Sequence, residues 1–129
     1  MTLSVRRAIE IFGPTWSLFV VHRLRLWLFP LDGWTDPILH FLGGASIAWL
    51  TWRGFLFLKA RGSLPALPRW GLFLICLSVT ALIGVLWEFY EYAVFIWLDP
   101  SYDIRLPDTI CDLLLDLCGG TLIAVVASV

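Results

Sequence analysis

The chain has 129 residues, 60 % of them hydrophobic and 15 % charged, with a mean hydropathy of +0.86. A soluble domain carries about 45–50 % apolar and about 25 % charged residues, so a water-soluble globule is all but excluded. Eight Trp, three Tyr and nine Phe among long Leu/Ile/Val runs exclude disorder as well. Nine Lys and Arg against ten Asp and Glu give a net charge of −1, which leaves no basic face broad enough for nucleic acid as a partner.

In chain order, the first apolar stretch runs over residues 11–29, with His22, Arg23 and Arg25 in its second half. Arg6 and Arg7 precede it, but no small-x-small site closes a short apolar region after them, so it does not read as a cleaved signal peptide. PLDGWTDP, residues 30–37, supplies turn chemistry. A second stretch, 37–58, is interrupted only by His40 and Arg53. KARGSLPALPR, 59–69, is a Gly/Pro linker, and WGLFLICLSVTALIGVLW, 70–87, is uncharged and long enough to span a bilayer. That third segment continues to residue 97; DPSYDIRLP, 99–107, separates it from the last stretch, 107–127, which is apolar apart from Asp108, Asp112 and Asp116. The expected architecture is all-α: one domain over 1–129, an integral membrane bundle of four transmembrane helices in the lipid bilayer. Arg6, Arg7, Arg53, Lys59, Arg61 and Arg69 fall on one side and only Arg23, Arg25 and Arg105 on the other, which places both termini in the cytoplasm. Cys76, Cys111 and Cys118 lie in apolar runs without disulfide-framework or zinc-finger spacing and read as small core residues. The tryptophans sit mostly near helix ends, as indoles at a membrane interface do; Trp87, beside Glu88, is placed to wall an acid site against lipid.

The acids carry the functional signal. In that topology every carboxylate except Glu10 falls in the outer loops or the outer half of a span. Asp32, Asp99 and Asp103 read as solvated or capping loop residues. Intramembrane acids differ, because each ionised side chain at mid-helix opposes insertion by roughly 2.5–3.5 kcal/mol, so Glu88, Glu91, Asp112 and Asp116 together oppose it by on the order of 10 kcal/mol if unpaired. Asp108, Asp112 and Asp116 recur at i, i+4, i+8, and Glu88 and Glu91 share a face at i, i+3. At about 1.5 Å per residue, His40, Glu91 and Asp112 form one layer, with Glu88 and Asp116 a turn deeper. Gly43, Gly44, Gly84, Gly119 and Gly120 offer the small surfaces that let membrane helices approach.

Three readings fit these groups: a divalent metal held by His40, Glu88, Glu91, Asp108, Asp112 and Asp116; an ion-pair network with Arg23, Arg25 and Arg105; or protonated carboxyls serving as a proton relay. Arg23, Arg25, Arg105 and Asp36 are candidates for contacting a substrate, the arginines through an anionic headgroup or phosphate, with snorkelling as the plain alternative for Arg23 and Arg25. No phosphate loop, nucleophile elbow, HExxH or Cys/His nucleophile pair occurs.

HFLGG at 40–44, WEFYE at 87–91 and DTICDLLLDLCGG at 108–120, in this order, resemble the pattern of the small bacterial YjdF-type membrane proteins over about the C-terminal three quarters of the chain. A more distant similarity is to VanZ-like membrane proteins, through the Arg105-Leu106-Pro107-Asp108 approach to the last helix. The resemblance implies a polytopic bundle in the cytoplasmic (inner) membrane of a bacterium, with Asp36 and His40 as the polar start of the second helix, Glu88 and Glu91 as the WExxE acids, and Asp108, Asp112 and Asp116 as the terminal acidic face; it implies no particular reaction. Gly120 stands where a small Ala is usual, and DPSYDIRLP lacks an extended glycine-rich insertion. Two classes of function stay open. One is a metal-dependent membrane enzyme acting on a lipid-linked, phosphorylated or redox substrate. The other is a non-enzymatic subunit or assembly factor working with other membrane subunits, or an ion or proton conduit.

Overall fold

A computed structural model describes residues 3–28, 35–98 and 105–128. It contains four helices, α1 (Val5–Leu28), α2 (Thr35–Ala60), α3 (Arg69–Leu98) and α4 (Leu106–Ser128). The turn at 30–34 and the aspartates Asp32, Asp99 and Asp103 lie outside the described residues. α2, α3 and α4 are long and apolar enough to cross a membrane. α1 is a helix of 24 residues but is not among those candidates: Arg6, Arg7, Glu10, Arg23 and Arg25 dilute its apolar surface. It also starts six residues earlier than its apolar run suggests, because the Ser4 hydroxyl accepts the Arg7 N–H at 3.4 Å and caps the first turn. The helix continues through Pro14.

α2 and α4 run in the same direction, for His40, near the start of α2, meets Asp116, midway along α4, and Ala48 and Ala124 share the core farther along both. α3 runs against both, with Thr80 on Gly120 and Leu72 back beside Phe55 in that core. The α2–α3 connection is set by a helix C-cap: Gly62 adopts φ 73°, its N–H donates to the Lys59 carbonyl at 2.9 Å and the Ser63 N–H to the Leu58 carbonyl at 3.0 Å. Glycine is suited there because a Cβ strains that left-handed backbone. Ala48, Phe55, Leu72, Cys76 and Ala124 form the apolar core at this end, which we call the basic pole.

The α2–α4 contact is backbone on backbone. A Cβ added to Gly44 would strike the Asp116 carbonyl, and one added to Gly119 would strike that of Phe41. Such approaches maximise van der Waals contact where lipid leaves little hydrophobic drive between helices. α1 packs on α2 alone by its backbone. It is held by Trp49 Nε1 donating to the Glu10 carbonyl at 2.8 Å, by the Thr15 hydroxyl on the Ser46 carbonyl at 3.3 Å, and by Arg53, 3.5 Å from Glu10 and stacked over Trp49 and Trp52. Among the described residues its contacts with α3 are side-chain reach: the His22 and Trp87 rings, 4.8 Å apart at 80°, and Arg23 donating to the Tyr90 hydroxyl at 3.1 Å.

Candidate metal centre

The starts of α2 and α4 and the end of α3 together make an acidic pole. His40, five residues into α2, is 5 % exposed. Its Nδ1 lies 3.4 Å from Asp116 Oδ2 and its Nε2 3.9 Å from Asp112 Oδ2, so the i, i+4 pair on α4 clasps one imidazole from two sides. Both carboxylates are about nine-tenths buried. Asp36, a turn before His40, joins it and Asp112 in a set whose donor atoms all lie within 4.8 Å of one another; His40, Glu88 and Glu91 form a second such set. The two sets share His40. Glu88 Oε1 is buried without a hydrogen-bond partner.

The sequence reading of two layers is corrected here. Counting residues from helix ends made Glu88 and Asp116 equally deep, but Asp116 Oδ2 lies level with Gly84, where a Cβ would approach it to 2.8 Å. α3 therefore overhangs the start of α4 by about one turn, roughly 6 Å at 1.5 Å per residue. That overhang brings Glu88 out by a turn to the level of His40 and Asp112, Glu91 reaches the same imidazole from the next turn, and the acids gather around one ring.

The remaining candidates separate. Asp108 is exposed in the first turn of α4 and joins neither donor set among the described residues; Arg105, just before the helix, is exposed too. Arg25 donates to Asp36 at 2.7 Å, which makes it part of the acidic pole, whereas Arg23 turns to Tyr90. Cys111 and Cys118 are exposed and Cys76 is buried in the apolar core, so no thiol joins the centre.

Sequence reasoning missed a half-open cavity of about 250 Å³ next to this centre, lined by α1, α2 and α3 with Asp116 in its wall. It exists because α1 leans on α2 and leaves α3 to side-chain contacts. The contribution of Thr15, Leu18 and Phe19 to it carries no sequence signal. Trp87, expected beside the acids, lines this cavity and faces His22.

Residues 18–129 match the family described as Predicted membrane protein (DUF2238), and the chain belongs to that family, which includes the YjdF-type proteins. No curated protein and no solved structure matches it.

Proposed function

We propose that the protein is an integral membrane protein that binds a divalent cation between α2, α3 and α4, with His40, Asp112, Asp36, Glu88 and Glu91 supplying the donors. The observation that carries this reading is the meeting of two His/carboxylate sets at one buried imidazole. Electrostatics support it. Intramembrane acids oppose insertion by roughly 2.5–3.5 kcal/mol each, Arg25 accounts for Asp36, and a protonated His40 would offset only one more charge. The orphaned Glu88 Oε1 is the kind of buried acceptor that an ion completes.

The imidazole is arranged for ligation. Its Nδ1 is turned to Asp116, which fixes the ring and presents Nε2 on the side of Asp112, the carboxylate–histidine–metal relation of many metal sites. Asp116 is then a positioning residue and Asp112 a ligand. A donor set of imidazole nitrogen and carboxylate oxygen suits Mn, Fe, Zn or Mg better than a thiophilic ion. The cavity reaches His40, the ligand shared by both donor sets, which favours an enzyme over a conduit, because a group that enters from the side can come near a bound cation. From the Lys/Arg asymmetry we place the acidic pole outside and both termini in the cytoplasm of an inner membrane. Impermeant labelling of intact cells at Ser101→Cys but not Ser63→Cys is the expected outcome, and the reverse pattern overturns the orientation.

The test of the cation is elemental analysis of protein purified in detergent, with melting measured in the presence and absence of chelator. The parent is expected to carry stoichiometric metal and to melt lower with chelator. Glu91→Gln and Asp112→Asn are expected to lose affinity by roughly 10-fold or more, since even outer-shell changes cost that much. Metal-free parent protein that is indifferent to chelator overturns the reading, and unchanged melting of Glu91→Gln then points to protonated carboxyls.

A further inference from the structure

The cavity beside the centre has a pattern of its own. Along α1 it runs from Thr15 to His22, seven residues or roughly 10 Å of helix axis, and although polar residues share its lining, the surface it exposes is almost wholly carbon. α1 and α3 flank it without backbone packing between them, so it lies along the seam where acyl chains are the surrounding solvent. Thr15, Ser46 and Thr80 line its deep end, and His22 and Trp87 flank its mouth.

The hydroxyl protons in this wall are already used. Thr80 donates to the Cys76 carbonyl, Ser46 to that of Gly43 and Thr15 to that of Ser46. His40 turns Nδ1 to Asp116. Apart from His22 at the mouth, the polar groups of the wall therefore have acceptor capacity to offer, chiefly the Asp116 carboxylate. Gly84 opens the way to it: a Cβ there would come within 2.8 Å of Asp116 Oδ2 and crowd the carboxylate, whereas one at Gly43 would only touch Oδ1 at 3.6 Å. Asp36, Asp112, Glu88 and Glu91 behind it make the local field negative, which disfavours an anionic end group.

We infer that the cavity binds a membrane amphiphile through its hydrocarbon body, with a hydrogen-bond donor end, hydroxyl or ammonium, set against Asp116. Apolar walls with one convergent polar group are the ordinary make-up of a small-molecule site. This names a ligand class for the centre proposed above, and rests on that reading only where the ligand's end is to meet the cation. Occupation of the cavity itself does not need the ion.

The experiment uses the full chain in phosphatidylcholine vesicles with three photoreactive probes of equal chain length that end in an alcohol, an amine and a carboxylate. The expected result is labelling of Leu18, Phe19, Ile83 or Trp87, several-fold stronger with the alcohol or the amine than with the carboxylate. The stronger of the two identifies the donor. Leu18→Trp and Ile83→Trp fill the cavity from opposite walls, and loss of label is expected in whichever folds, with metal content retained. Equal labelling by all three probes, label confined to outward residues such as Phe89 and Trp97, or label that survives both fillings overturns the inference. Metal retained without cavity label defeats only this inference, and cavity label on metal-free protein defeats only the cation.

Discussion

α2 is held on its two sides by different means. Toward α4 its backbone touches backbone, with Gly44 and Gly119 admitting the opposing carbonyls and no side chain between. Toward α1 it offers Trp49, Arg53 and the Ser46 carbonyl, and next to that contact a cavity remains. In lipid, contact between apolar side chains gains little over contact with acyl chains, whereas close backbone approach and hydrogen bonds do bind helices together. The α2–α4 contact is thus the rigid wall of the site and α1 the wall able to part. His40, Asp112 and Asp116 meet across the first, and the cavity lies beside the second.

Substitution at the glycine contact breaks the rigid wall and should have the largest effect. Gly119→Val places branched carbon where the Phe41 carbonyl stands; overpacking costs about 1–3 kcal/mol even where side chains yield, and here backbone must move. Loss of monodisperse folded protein in detergent is the expected outcome, and a melting temperature within error of the parent would contradict the crossing. Trp49→Phe acts on the other side of α2. It leaves the part-buried Glu10 carbonyl without its indole donor, a loss of about 0.5–1.5 kcal/mol. Amide exchange is expected to rise in α1 while α3 and α4 keep their protection; a uniform rise would mean that the two sides are one cooperative unit. The smallest change sharpens the contrast by sign. A Cβ at Gly54 meets nothing within 4 Å, so Gly54→Ala should raise stability by about 0.5–1 kcal/mol through helix propensity alone, read as a higher melting temperature.

The four helices, three of them as candidate spans, and most of the centre were legible because each rests on a local rule. Uninterrupted apolar length marks α3, and i, i+4 spacing brings Asp112 and Asp116 to one imidazole. Asp108 shows where the rule runs out. At 3.6 residues per turn, i+8 has drifted about 80° from i, and the first turn of α4 stands clear of α2, so the third member of the stripe is exposed. The overhang of α3 and the lean of α1 depend on how helices dock, information that no residue count from a helix end contains. The tie between Arg25 and Asp36 was among the alternatives that composition left open, and only the docking of α1 on the start of α2 selects it.

The order of synthesis gives the glycine contact a consequence in time. The chain leaves the ribosome N-terminus first, so α2 and α3 exist, joined by their capped turn, before α4 has been made. During that interval His40, Glu88 and Glu91 are without Asp112 and Asp116, and Gly44 faces no carbonyl. α4 supplies both the missing partners of the imidazole and the surface that fits the glycine. A chain that stops short of α4 therefore leaves these polar residues without those partners, and their burial waits on its arrival.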